Sequence, residues 1–189
     1  DAAMASLQQV LPELGELRPD FMTVTYGAGG STQERTLEIA SLIQNNLRIP
    51  TACHLTCVGA SRADLDGVLS QIHQAGIRNI VALRGDPPKG ETEFVQPKDG
   101  YAHGSELVAH IRSREKTAGI GPFGIAVAGY PEKHIEAPNM QSDLAHLKEK
   151  VDAGADCVVT QLFYDNRHYF EFVRQARALG ITVPIVPGL

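Results

Sequence analysis

Short apolar runs that alternate with longer amphipathic segments are the feature that most constrains how this chain can fold. Six runs rich in β-branched or aromatic residues have the length and composition of strands. They cover residues 21–26, 51–57, 79–85, 124–130, 157–164 and 184–189, and their starts are 30, 28, 45, 33 and 27 residues apart. This spacing fits one strand and one helix per repeat, with one longer insertion. It predicts a parallel sheet with right-handed crossovers.

Local signals predict helices between these strands. Ser61 and Asp64 resemble a capping box, with Asp in place of Glu, ahead of apolar residues at helical spacing. Asp143 is predicted to begin a later helix. Four segments end in a glycine followed by an apolar residue, which is typical of a left-handed residue that terminates a helix. These glycines are Gly76, Gly119, Gly154 and Gly180.

Two architectures fit this pattern, a (β/α)₈ barrel and an open doubly wound sheet. Polar residues lie within or just after successive strands: Thr23, Thr25, His54, Thr56, Arg84, Asp86, Thr160 and Gln161. A barrel places functional residues at the C-terminal ends of many strands, whereas an open sheet uses one switch point. The α/β class with a (β/α)₈ TIM barrel is therefore favoured. Since a complete barrel takes about 250 residues, we expect about six βα units here, one strand before residue 1 and the eighth after residue 189.

The composition argues against two classes of partner, nucleic acids and membranes. The net charge is −5 and no basic run is present, which argues against nucleic acid or an anionic membrane as a partner. The longest apolar runs have strand length, so no transmembrane helix is predicted. The three cysteines and the lack of a signal-peptide pattern indicate a reducing cytoplasm.

Two motifs resemble known kinds of ligand site, a dinucleotide-binding loop and a metal site, but their residues do not fit either kind. The glycine-rich loop at 27–30 follows a strand, but Thr32 stands where a dinucleotide fingerprint needs glycine, and the expected acid is absent. The loop is either an ordinary βα connection or a place where backbone approaches a ligand. In a strand, Cys53 and Cys57 share one face and His54 the other, so metal binding is disfavoured. His54 is then either a core residue or part of a polar barrel interior.

The strand-end segment Arg84-Gly85-Asp86 is the most informative local sequence. It is either a salt bridge at a strand terminus or a site where Gly85 admits a planar ligand and the two charged residues contact its polar edge. Gln161 at the end of a later strand offers a neutral amide, which suits the amide-like edge of a pterin or flavin.

Seven segments together resemble the methylenetetrahydrofolate reductase family, in its order and over essentially the whole chain. They are VTYGA (24–28), HLTC (54–57), ALRGD (82–86), YPEKH (130–134), KVDAGA (150–155), TQLF (160–163) and IVPG (185–188). The resemblance implies that residues 1–189 are part of a catalytic barrel with FAD at the C-terminal ends of the strands. It implies a ping-pong reaction in which NADH or NADPH reduces FAD, and 5,10-methylenetetrahydrofolate is then reduced to 5-methyltetrahydrofolate. It also implies a homo-oligomer.

The resemblance carries residue roles over by position. Asp86 and Gln161 match catalytic positions, and they match substrate-binding positions together with Thr25. The implied flavin contacts are Thr25, Tyr26, Ala28, His54, Arg84, Gly85, Asp86, Tyr101, Ala102, Tyr130, His134, Ala137, Asp143, His146 and Lys150. Two positions depart from relatives: His146 stands where many carry Asn, and Glu149 where some carry a base near the FAD phosphates.

The family's general acid is a glutamate on the first strand, in a segment expected before residue 1. We therefore expect residues 1–189 alone not to reduce methylenetetrahydrofolate. An alternative is a catalytically silent flavin- or folate-binding subunit of the same family. An unrelated barrel lyase or aldolase would need a strand-end Schiff-base lysine or a metal cluster, which the six predicted strands do not show.

Overall fold

The computed structural model describes residues 2–25, 33–86 and 94–188. The six strands are β1 (Met22–Val24), β2 (Thr51–Thr56), β3 (Asn79–Leu83), β4 (Gly124–Gly129), β5 (Cys157–Thr160) and β6 (Ile185–Val186). The helices are α1 (Ala2–Glu16), α2 (Gln33–Leu42), α3 (Arg62–Gln74), α4 (Gly104–Ala118), α5 (Met140–Asp152) and α6 (Asn166–Ala178), and a π-helical turn (Ile43–Leu47) continues α2. None of the helices in these ranges is long and apolar enough to cross a membrane.

The strands form one parallel sheet in the order β1-β2-β3-β4-β5-β6. Each strand therefore pairs with its neighbour along the chain, and the order never reverses as it does in a doubly wound sheet. This order confirms the predicted incomplete barrel. All six strands lie within the predicted runs, but each ends before the predicted boundary. The polar residues after them belong to the loops at the C-terminal edge of the sheet.

The two faces of the sheet differ in what they pack against. Cys53 pairs with Ile80 and Leu55 with Ala82, and these four residues belong to the buried core beneath the helices. The alternate positions face the barrel interior, where half-buried His54 lies beside Val81. The predicted separation of Cys53 from His54 is thus confirmed. Burial raises the pKa of the Cys53 and Cys57 thiols to about 11, so both stay protonated at neutral pH.

The helix ends follow local chemistry. Ser61 and Asp64 form the predicted capping box at the start of α3, and the four predicted glycines all have positive φ. The prediction that Asp143 begins a helix was wrong. Asn139 caps α5, because its side chain accepts a hydrogen bond from the Ser142 backbone N–H at 2.8 Å. Asp143 is instead a buried residue in the first turn.

Helix α1 was not predicted. It carries Pro12 in its interior, which disfavours a helix, and no acidic residue in its first turn. The segment is nevertheless rich in Ala, Leu and Gln, which favour helices, and its buried Leu11 belongs to the core.

Candidate functional site

Arg84 is the central cation at the C-terminal edge of the sheet. Its Nη1 and Nη2 donate to the two carboxylate oxygens of Glu136 at 2.6 and 2.7 Å, and its Nε donates to the Gly85 carbonyl at 3.3 Å. The guanidinium lies 4.9 Å from the ring centroid of Phe94. These hydrogen bonds raise the pKa of Arg84 and lower that of Glu136. The result is a fixed, partly exposed guanidinium on the residue that follows β3.

Gly85 has a φ of +90°, which side-chain-bearing residues rarely adopt. A Cβ at this position would overlap Val58 Cγ1 and would lie 3.0 Å from Thr56 Cβ. The Val58 backbone N–H also donates to the Arg84 carbonyl at 2.9 Å, so this segment is tied to the loop after β2. The space beside Gly85 is thus filled by protein. The prediction that a planar ligand lies beside Gly85 is not tested by these contacts and stays a prediction.

Lys150 approaches the same edge from α5. Its Nζ donates to the Ala128 carbonyl at 2.6 Å and lies 5.9 Å from the ring centroid of Tyr130. Burial lowers the pKa of Lys150 to about 8, and the charge of Asp143 partly opposes this change. A side chain at Gly104, the first residue of α4, would meet the Arg84 backbone N at 3.7 Å and Lys150 Cδ at 3.8 Å. The fold therefore brings the Arg84 backbone and the Lys150 stem, which are distant in sequence, close to one helix N-terminus.

The loop after β4 forms the third part of the site. The Tyr130 and His134 rings meet edge to face with centroids 4.7 Å apart, and Asp143 Oδ2 accepts the His134 backbone N–H at 3.1 Å. Burial raises the pKa of Tyr130. Lys133 Nζ donates to the carbonyls of His134 and Ala137 at 2.8 and 2.6 Å. These bonds fix the backbone of the loop that presents Glu136.

Tyr101 and Ala102 lie in the turn before α4. The Tyr101 hydroxyl is 2.9 Å from His110 Nδ1, and its ring centroid is 5.0 Å from the Arg62 guanidinium carbon. The Ala102 backbone N–H donates to Glu106 Oε2 at 2.8 Å. The turn is therefore anchored to α3 and α4, next to the helix end that packs on Arg84 and Lys150.

The structure unites only some of the expected flavin positions in one contact network. Tyr130, His134, Asp143 and Lys150 interact through the contacts above, and Arg84 is linked to them through Glu136, whose backbone N–H donates to His134 Nδ1. The charge of Asp86 acts on Arg84 and Tyr130. Ala137 is buried in the same loop. Four other expected positions lie outside this network. Thr25 and Gln161 are exposed after β1 and β5, and His146 is exposed on α5. His54 lies in the barrel interior. Tyr26 and Ala28 lie outside the described residues.

Sequence reasoning did not identify Glu136, Phe94 or Lys133. Glu136 is 52 residues from Arg84, so no local spacing relates the two charges. The only available signal for Glu136 was its position two residues after His134, in a loop that already carried expected site residues. A cation–π contact such as that of Phe94 leaves no pattern in a single sequence.

Comparisons with known structures agree with the architecture. A crystal structure of phosphonopyruvate hydrolase in complex with oxalate and Mg²⁺ matches with a TM-score of 0.64 and 16% sequence identity. The match covers 95% of this chain and 70% of that one. A crystal structure of oxaloacetate acetylhydrolase matches with a TM-score of 0.62 and 12% identity, over 94% of this chain and 71% of that one. Identities this low show a shared fold alone.

Sequence comparisons identify the family. The family model described as methylenetetrahydrofolate reductase matches residues 2–189. Methylenetetrahydrofolate reductase (NADH) 1 of Arabidopsis thaliana is 51% identical in an alignment of 180 residues that covers 90% of this chain and 30% of that protein. The 5,10-methylenetetrahydrofolate reductase of Pectobacterium carotovorum subsp. carotovorum is 41% identical over 97% of this chain and 58% of its own length. The chain thus spans only part of these relatives. It belongs to the methylenetetrahydrofolate reductase family.

Proposed function

We propose that residues 1–189 are part of an FAD-binding barrel that reduces 5,10-methylenetetrahydrofolate to 5-methyltetrahydrofolate. NADH or NADPH is the proposed donor, in a ping-pong reaction through FAD. The observation that carries the proposal is the cluster that follows β3 and β4. In it, Lys150 Nζ lies 5.9 Å from the Tyr130 ring, Tyr130 packs against His134, and Arg84 pairs with Glu136 of the same loop. The family membership and the names of the relatives support it.

The described residues have the chemistry that FAD requires. The cofactor carries two phosphates and a planar aromatic ring system. A guanidinium fork matches the geometry of phosphate oxygens, and an ammonium adds a point charge. The N-terminus of α4 lies beside the Arg84 backbone and the Lys150 stem. Arg84 and Lys150 would hold the phosphates, and half-buried Tyr130 and His134 offer rings for packing.

FAD, when bound, supplies the hydride chemistry, and the protein binds, orients and polarises the reactants. Asp86 is exposed just after β3, where its carboxylate can stabilise positive charge that develops on the folate. Gln161 is exposed after β5, and its amide can both donate and accept hydrogen bonds. We propose that this amide contacts the folate and the nicotinamide in turn. Thr25 is proposed to contact the substrate from the end of β1.

The pKa of Lys150 gives the proposed flavin site a pH signature. This pKa is about 8 in the cofactor-free protein, so the ammonium loses its proton as the pH rises through 8. A neighbouring phosphate raises the pKa because it favours the charged form, so FAD binding takes up a proton above pH 8. We expect the affinity for FAD to be constant well below pH 8 and to fall above it. The measurement is an FAD titration of the complete apoprotein at pH values on both sides of 8.

Two lysine variants make this titration specific. Lys150→Met is expected to bind FAD more weakly near neutral pH and to lose most of the pH dependence. Lys148→Met removes a half-buried lysine of the same helix that pairs with Asp152, and it is expected to keep the wild-type profile. A wild-type profile in Lys150→Met would contradict the role of this lysine. A complete protein that stays colourless with excess FAD would contradict the flavin site.

The reaction itself is tested by anaerobic spectra of the complete protein. We expect the flavin absorbance to fall when NADH or NADPH is added and to return when methylenetetrahydrofolate follows. If the folate fails to reoxidise the flavin, the result would support the cofactor assignment and contradict the proposed substrate.

A further inference from the structure

Glu136 occupies the same guanidinium fork that the proposed function assigns to a cofactor phosphate. Both terminal nitrogens of Arg84 are committed to its carboxylate, at 2.6 and 2.7 Å. We propose that Glu136 is an internal competitor, which holds Arg84 in the cofactor-free protein and is displaced when a phosphate of FAD binds. This inference rests on the proposed function and deepens it, because it assigns Glu136 a part in setting the affinity for the cofactor.

The contacts of the two partners indicate which one moves. Arg84 is held by the Gly85 carbonyl and by the Phe94 ring, and its side chain is 23% exposed. The side chain of Glu136 is 52% exposed, and Arg84 is its only side-chain partner among the described residues. Displacement therefore leaves the guanidinium in place and returns one carboxylate to water. A phosphate offers the fork the same bidentate geometry, so the exchange preserves the hydrogen bonds of Arg84.

The backbone around Glu136 is suited to a movement of the side chain alone. Lys133 donates to the carbonyls of His134 and Ala137, on either side of Glu136. The Glu136 backbone N–H donates to His134 Nδ1 at 3.2 Å. These bonds do not involve the carboxylate, so its release need not disturb the loop.

The charge of the site supports competition. Asp86, Asp143 and Glu136 bring three carboxylates to the region of the two cations, Arg84 and Lys150. With Glu136 in place, its negative charge next to Arg84 opposes the approach of an anion to the guanidinium. When Glu136 turns into solvent, that charge is screened. The phosphate of FAD would thus displace a carboxylate from Arg84, and this displacement removes the negative charge that opposes its binding.

The test compares Glu136→Gln with Glu132→Gln in the complete apoprotein. Both variants remove one negative charge from the same loop, but Glu132 lies 3.8 Å from His168 and takes no part in the Arg84 pair. Each protein is titrated with FAD and with riboflavin, which lacks phosphate. We expect Glu136→Gln to lower the Kd for FAD about fivefold, the factor typical of a partly exposed ion pair. The Kd for riboflavin should stay within about twofold, as should both constants in Glu132→Gln.

Three results would overturn the inference. A higher Kd for FAD in Glu136→Gln would show that Glu136 positions Arg84 for the cofactor. Equal gains in Glu132→Gln would show a general effect of charge, and an equal gain for riboflavin would place the effect away from the phosphates. If the wild type binds no FAD, the proposed function fails on its own, and inorganic pyrophosphate replaces FAD as the probe. Tighter pyrophosphate binding by Glu136→Gln alone would then support the competition at Arg84, and equal binding would overturn it.

Discussion

Replacing Arg112 with alanine is expected to lower the free energy of unfolding by about 3 kcal/mol. Its guanidinium donates to the Gly154 carbonyl at 2.8 and 3.0 Å and to the Phe123 carbonyl at 2.8 Å. It also donates to the carboxylates of Glu115 and Asp156 at 2.8 and 2.6 Å. This one side chain joins α4 to the segments that enter β4 and β5, at the edge of the sheet opposite the proposed flavin site.

The loss of stability is large because the substitution leaves two carboxylates without their counter-ion. Glu115 and Asp156 also accept the backbone N–H groups of Phe123 and Ile125 at 2.6 and 2.7 Å. Without Arg112, the two carboxylates lose their shared counter-ion while these bonds keep them in place. Residues at the N-terminal face of a barrel serve stability rather than catalysis. The FAD affinity of Arg112→Ala should therefore stay near that of the wild type under conditions where the variant is folded.

Urea denaturation of the complete protein measures this effect, with Arg174→Ala as the control. Arg174 forms an exposed i,i+3 pair with Glu171, and the loss of such a pair changes stability by about 0.5 kcal/mol or less. A denaturation midpoint of Arg112→Ala equal to that of Arg174→Ala would contradict the structural role assigned to Arg112.

Gly85→Ala is expected to weaken FAD binding more than tenfold. The new methyl group would overlap Val58 Cγ1 and approach Thr56 Cβ at 3.0 Å, and both neighbours are β-branched, so they have little rotamer freedom to move away. The backbone of residues 84–86 must shift instead, which displaces the Arg84 guanidinium and the Asp86 carboxylate. Because binding depends on well-placed groups, a shift of about 1 Å carries a large penalty.

Gly59→Ala separates this displacement from the cost of a positive φ. Gly59 has a φ of +69°, and nothing lies within 4 Å of the Cβ that alanine would add. The control therefore shares the backbone strain of about 1 kcal/mol but lacks the steric overlap. FAD titration and urea denaturation are measured for both variants. Equal FAD affinities of Gly85→Ala and Gly59→Ala would contradict the tight packing of the Arg84–Asp86 segment.

The strand pattern was predictable because it depends on local chemistry. Each β-branched run must be buried on two faces, so it is visible as a continuous apolar segment between helix signals. The glycine at the end of a helix is equally local, as the φ of +80° at Gly76 and +65° at Gly119 shows. Strand ends were predicted too long because apolar or β-branched residues continue past the last ladder pair, as they do at Phe163 after β5.

The features that were missed depend on tertiary contacts. The cap of α5 was assigned to Asp143 because aspartate often begins helices, but its carboxylate accepts the His134 backbone N–H from the preceding loop. The pairing of Glu136 with Arg84 requires β3 and β4 to be adjacent, which no local spacing encodes. The resemblance supplied most positions of the candidate site, whereas the structure supplied their partners.

The most direct test of the central claim is an anaerobic titration of the complete protein, followed by its flavin absorbance. We expect a bound flavin that is bleached by one equivalent of NADH or NADPH and reoxidised by one equivalent of methylenetetrahydrofolate, with 5-methyltetrahydrofolate as the product. The more effective nucleotide identifies the donor. A colourless protein that excess FAD cannot reconstitute would contradict the proposed flavin-dependent reduction and favour a silent subunit of the same family.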